Sequence, residues 1–156
     1  MPEVIVVGIG NPYRGDDAAG WAVIDALEKR KASLHLCKQR GDVAELMDVF
    51  ASHSHVYLVD ACTGLDHSAS WRRIGVHQEL LTIANTQTST HALSVAQAVA
   101  LAKNLDILPQ KLIVYAIVGH HFHMSSQLSP SVSKAIDEVA EALLKEEEIK
   151  ACMKKA

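Results

Sequence analysis

Val4-Ile5-Val6-Val7-Gly8-Ile9-Gly10-Asn11-Pro12-Tyr13-Arg14-Gly15-Asp16-Asp17 decides how this chain is read. The apolar run has the character of a strand buried on both faces. It feeds a glycine-rich turn that presents two adjacent carboxylates. Ala19, Ala22, Val23, Ala26 and Leu27 follow at the spacing of one helical face. Strand, turn and helix in this order open an α/β unit. Acidic side chains suit the positive end of a helix dipole, so Asp16 and Asp17 have a reading as helix caps. One cap would meet that need, however. Two carboxylates on a loop after a buried strand also stand where open α/β sheets place their active sites. Both readings stay open at this point.

Outward from that unit, strand-like and helix-like segments alternate. The pattern predicts an α/β fold: a three-layer sandwich with a mostly parallel, roughly five-stranded sheet and helices on both faces. Strands are expected at 3–9, 34–38, 56–59 and 112–118, with a more exposed one at 70–76. There Arg72 and Arg73 interrupt the apolar residues and suggest a sheet edge. Helices are expected at 17–31, after Gly41-Asp42 with Asp42 and Glu45 as a capping pair, and after His91 with Val95, Ala98, Val99 and Ala102 inward. The last should begin at Ser129-Pro130, with Ser as cap and Pro in the first turn. Residues 85–90 and 119–126 read as polar loops, and 145–156 as a charged, frayed tail on a single domain spanning 1–156.

Composition narrows the function. At 156 residues, half of them apolar, the chain can bury a core without disulfides. A net charge of −3 offers no general attraction for nucleic acid or anionic membrane. Cys37, Cys62 and Cys152 are an odd number without CxxC spacing, as expected of reduced thiols in a cytoplasmic protein. No segment has the length of a membrane span, and no secretory signal is recognisable. Gly8-x-Gly10 resembles half a dinucleotide fingerprint, but Tyr13 replaces its third glycine and the acidic loop would repel a pyrophosphate. Neither a Gly-x-Ser-x-Gly elbow nor a His-Glu-x-x-His helix is present.

Three polar residues are expected at one address. Asp17 follows the first strand, Asp60 ends another, and His91 starts a helix between later strands. The carboxyl ends of parallel strands lie along one edge, so these residues can meet there. Two carboxylates and an imidazole suit a borderline divalent ion such as zinc or nickel, with positions left for water or substrate. Each has a plainer alternative: Asp60 as acceptor for loop amides, His91 as a packed helix-start residue.

The blocks around these residues resemble the hydrogenase maturation proteases. Gly8-Ile9-Gly10-Asn11 with Gly15-Asp16-Asp17 and Gly20 is similar to that family's opening motif. Val59-Asp60-Ala61 is similar to its second acidic block, and Ser89-Thr90-His91 with Leu93-Ser94 to its histidine block. Leu128-Ser129-Pro130 with Val132 is also family-like. The resemblance implies a nickel-dependent endopeptidase that trims the C-terminal extension of a nickel-loaded hydrogenase large-subunit precursor. It implies Asp17, Asp60 and His91 as metal ligands and, through the metal, as catalytic residues, with Asp16 a candidate to orient a ligand. Nickel would come with the substrate, and zinc or a similar ion could substitute. A free monomer acting in the cytoplasm is expected, with the precursor as partner. A non-catalytic metal-sensing chaperone for the same precursor and a general zinc peptidase are the rival readings. His120, His121 and His123 depart from the family's usual acidic or proline-containing loop. A solvated loop is the expectation there, contact with the metal edge the alternative.

Overall fold

The computed structural model describes residues 3–30, 33–63, 69–79, 91–125 and 127–154, with the backbone alone for 91–94. Strands β1 (Val4–Ile9), β2 (His35–Gln39), β3 (His55–Cys62), β4 (Trp71–Gly75) and β5 (Lys111–Val118) form one sheet in the order β2-β1-β3-β5-β4. All neighbours are parallel except β4, which runs antiparallel to β5 along the edge. The arginines of β4 therefore mark an edge strand, as the sequence predicts.

Strand periodicity explains the two helical layers. Successive side chains point to opposite faces, and β1 and β3 are buried on both. Val4, Val6, Tyr57, Val59 and Ala61 face helix α1 (Ala19–Lys29) and helix α4 (Pro130–Leu144). Ile5, Val7, Ile9, Val56, Leu58 and Cys62 face helices α2 (Val43–Ser52) and α3 (His91–Asn104). Each large apolar side chain buried in these layers contributes about 1.5–3 kcal/mol relative to exposure. The inward faces thus hold the helices more firmly than helix propensity does.

Local signals place the boundaries. Asp42 caps α2 by accepting from the Ala44 amide at 2.8 Å. The first helix starts later than its periodicity suggests, because Gly15–Ala18 form a tight 3-10 turn before α1. Strand β3 is longer than expected. Asp60 does not end it but sits within it, opposite Ala116 of β5, and the ladder continues to Cys62. The apolar run masked this, since a carboxylate reads as a strand stop when the strand's mouth is not in view.

The charged run after Lys145 is not a frayed tail. It forms helix α5 (Glu147–Lys154), with Ile149 fully buried. Cys152 and Met153 pack beside it, and polar anchors reinforce these apolar contacts. The Tyr115 hydroxyl and Arg73 Nε donate to Glu146 Oε1, the latter at 2.7 Å. The Tyr57 hydroxyl and Lys111 Nζ donate to Glu148 Oε2 at 2.9 and 3.0 Å. No described helix is long and apolar enough to cross a membrane.

The topology creates a switch point between β1 and β3. From β1 the chain passes through α1 to β2 on one side. From β3 it continues to β4 and β5 on the other. The carboxyl ends of β1 and β3 therefore flank the switch point, where open α/β sheets bind ligands.

Candidate active site at the carboxyl edge

Asp17 and Asp60 both lie on elements beside that point. Residues 11–17 fold back on themselves: the Asn11 amide donates to the Asp17 carbonyl at 3.1 Å, and the Asp17 amide to the Arg14 carbonyl at 3.1 Å. The 3-10 turn bearing Asp17 packs against β3. Close approach is possible because the first turn of α1 carries Gly20. A Cβ there would stand 2.3 Å from the Ile9 carbonyl oxygen and 2.6 Å from that of Val59, the neighbour of Asp60. Both carboxylates are shielded, Asp17 at 0% and Asp60 at 5% exposure. A buried carboxylate is stable only with hydrogen bonds or positive charge nearby.

His91 is placed by its backbone. The end of α3 leads through residues 105–110 into the amino end of β5, so the start of α3 lies at the carboxyl edge. Strand parity puts Asp60 on the α2–α3 face, together with Val56, Leu58 and Cys62. His91 thus opens a helix on the face to which Asp60 belongs. Its ring, and the expected 85–90 loop before it, lie outside the described residues.

Asp16 has a task other than the helix cap that its position suggests. It does not cap α1, whose N-cap position, Ala18, has no side-chain cap bond. Its fully buried carboxylate accepts from the amides of His120 (2.7 Å), His121 (3.2 Å) and Ser129 (2.8 Å), and from the Ser129 hydroxyl (2.7 Å). Ser129 occupies the N-cap position of α4, but its hydroxyl is given to Asp16 and does not cap the helix. Burial alone would raise the Asp16 pKa. The four donors outweigh it and hold the carboxyl below the usual carboxylate range.

This clasp fixes the histidine loop. The Asp16 amide donates to the His121 carbonyl (2.9 Å), and Ser125 exchanges two bonds with the 13–15 turn, accepting from Gly15 N (2.8 Å) and donating to Tyr13 O (3.0 Å). Arg14 Nε donates to the Phe122 carbonyl at 3.0 Å. The His121 ring lies over Gly15, whose φ of +58° and contact with the ring both exclude a side chain. His120 and His123 are exposed, whereas His121 is half-buried, with its Nε2 4.0 Å from Asp16 Oδ1. The segment is a rim docked on the 13–16 turn and only in part a solvated loop. Sequence reading missed the clasp because its partners lie more than 100 residues from Asp16; the paired aspartates were the one available signal.

Asp16→Asn should lower stability by roughly 1–3 kcal/mol at neutral pH, since a neutral acceptor replaces a charged one among four buried donors. The carboxylate's contribution is in full above the unfolded-state pKa of about 3.9 and disappears as pH falls through the lower folded value. Urea unfolding of both proteins should therefore show the difference at pH 7 and its loss in strong acid. A difference unchanged by acid would contradict the clasp.

The donor set fits a divalent cation in its chemistry: two carboxyl groups, shielded from water, at a topological switch point. Among the described residues no three His, Cys, Asp or Glu side chains form a cluster able to hold a metal; the His91 ring is not among them. Cys62 offers no thiolate. Burial, with Asp60 beside it, pushes its thiol up to about 12.

Fold and edge together define an α/β protein with buried carboxylates at the carboxyl ends of its central strands. A family model for hydrogenase maturation proteases (HycI) matches residues 41–146, which include Asp60 and His91 but not the Gly8 to Gly20 block. The chain belongs to the hydrogenase maturation protease family. It is 24% identical to the hydrogenase 2 maturation protease of Escherichia coli strain K12 over 145 residues, 91% of this chain and 88% of that one. Its fold is similar to the hydrogenase maturating endopeptidase HybD from E. coli (TM-score 0.75, 20% identity, 91% and 90% coverage). It is also similar to the nickel–iron hydrogenase maturation protease HybD from Thermococcus kodakarensis (TM-score 0.69, 16% identity, 90% and 95% coverage).

Proposed function

We propose that this chain is an endopeptidase that removes the C-terminal extension of a nickel-loaded nickel–iron hydrogenase large-subunit precursor, acting in the cytoplasm as a monomer. The observation that carries the proposal is the burial of two carboxylates, Asp17 and Asp60, at the switch point of a chain in this family. Nickel enters as part of the substrate. Asp17 and Asp60 supply anionic oxygens toward it and His91 a ring nitrogen, with zinc or a similar ion able to take the same donors. A divalent ion so held would polarise the scissile carbonyl or acidify a water. The chain's own residues do the positioning. Gly20 lets the Asp17 turn lie against β3, and Asp16 locks the 119–125 rim beside that turn. Burial keeps bulk water from the carboxyl groups, which would strengthen their attraction for a cation.

Mass spectrometry of precursor incubated with the protein tests this. Nickel-loaded precursor should lose its C-terminal extension, and nickel-free precursor should stay intact. A stable uncut complex with the loaded precursor would favour the chaperone reading. Equal cleavage of loaded, unloaded and unrelated peptides would favour a general zinc peptidase.

A further inference from the structure

His35 and His53 stand at the edge of the sheet opposite the candidate active site. His35 begins β2, and His53 follows the last residue of α2 just before β3. Their rings converge, with His53 Nε2 3.3 Å from His35 Nδ1 and centroids 5.1 Å apart. The other nitrogen of His53 is already committed: Nδ1 lies 3.0 Å from the Val49 carbonyl oxygen, which can only accept. That bond places the His53 proton on Nδ1 and leaves a lone pair on Nε2, directed at His35. Metal-bound histidines are oriented in this way, one nitrogen donating to a backbone carbonyl while the other binds the ion. The separation also fits. Two zinc–nitrogen bonds of roughly 2.0–2.1 Å at a tetrahedral angle put the nitrogens about 3.3 Å apart.

The geometry points to a second cation site, in which His35 Nδ1 and His53 Nε2 together bind a borderline divalent ion such as Zn²⁺. Without the ion, the His35 Nδ1 proton bridges to His53. With it, His35 carries its proton on Nε2 and both inward nitrogens present lone pairs. The tautomer moves while the net charge of the pair stays the same. No third His, Cys, Asp or Glu among the described residues completes a cluster, so water fills the remaining positions. His35 is exposed and His53 half-buried, which makes the ion exchangeable and open to donors from another molecule. This site is independent of Asp17, Asp60 and His91, and of the proteolytic reading.

Nitrogen-15 NMR of the full, tag-free chain during titration with Zn²⁺ alone tests the site. The His35 Nδ1 and His53 Nε2 signals should shift together and saturate, with the His35 tautomer reversing. His53→Ala should abolish the shift at His35, and His35→Ala the shift at His53. Each should weaken the ring-detected affinity roughly tenfold or more while leaving precursor cleavage unchanged. Amide spectra of the two exposed-edge variants verify folding. Rings that stay unshifted at saturating zinc would overturn the site. So would a His35 shift that survives in His53→Ala, because it would assign the ion to a lone imidazole.

Discussion

Asp17→Asn is expected to reduce cleavage of nickel-loaded precursor by about a hundredfold or more, with the protein still folded. The amide keeps the shape of the side chain but removes the anionic donor. Loss of groups that merely orient a metal ligand typically costs about 10–100-fold, and loss of a ligand itself should exceed that. His91→Ala should be as damaging. The helix it opens is held by Val95, Ala98, Val99 and Ala102 further along, so truncating its first residue leaves the packed face intact. Circular dichroism would check folding, and mass spectrometry of the large subunit would report cleavage. A folded His91→Ala protein that cuts at the wild-type rate would remove the imidazole from the proposed ligand set. The docked rim bearing His121 would then be the place to look for a nitrogen donor, since it lies beside the turn that carries Asp17.

The sheet was legible because burial on both faces leaves a strong local trace. Runs such as Val4 to Val7 and Val56 to Val59 admit little but a central parallel strand, and Arg72 and Arg73 identified the edge. Helix α5 is only faintly legible. Ile149, Cys152 and Met153 stand at helical spacing and pack on the core, but they are few among many charges. The anchoring by Tyr57, Tyr115, Arg73 and Lys111 on three strands leaves no trace within Lys145 to Lys154. The site divides in the same way. Asp17 and Asp60 declare themselves by following or closing apolar runs, and both carboxylates are buried on elements at the carboxyl ends of β1 and β3. In sequence Asp16 reads as an adjunct of its neighbour, although it ties together the β1–α1 turn, the histidine loop and the start of α4. Hydrogen bonds between residues far apart in the chain leave no spacing to detect. A residue type can suggest such a role, but only the assembled backbone selects among the roles open to it.

Gly20→Ala should destabilise the protein by roughly 3 kcal/mol, at the upper end of the usual cost of overpacking, and lower the melting temperature by about 6–12 °C for a chain of this size. The sign is what makes the experiment decisive. Glycine to alanine inside a helix ordinarily stabilises by about 1 kcal/mol, and Gly20 lies inside α1. Here the added methyl would meet the Ile9 carbonyl oxygen at 2.3 Å, the Val59 carbonyl oxygen at 2.6 Å and the Ile9 nitrogen at 2.8 Å. All three are backbone atoms of the two central strands, so no rotamer change relieves the contact and α1 must lift away. The lift also moves the turn three residues earlier, separating Asp17 from the strand that holds Asp60. A displacement of about 1 Å can cost a hundredfold in rate, so cleavage should fall by about that factor even where the variant remains folded. Differential scanning calorimetry measures the first effect and precursor cleavage well below the melting temperature the second. A variant of equal or higher stability would mean that α1 is not seated on the sheet through Gly20. One that melts early yet cleaves normally would mean that the spacing between Asp17 and β3 does not govern the reaction.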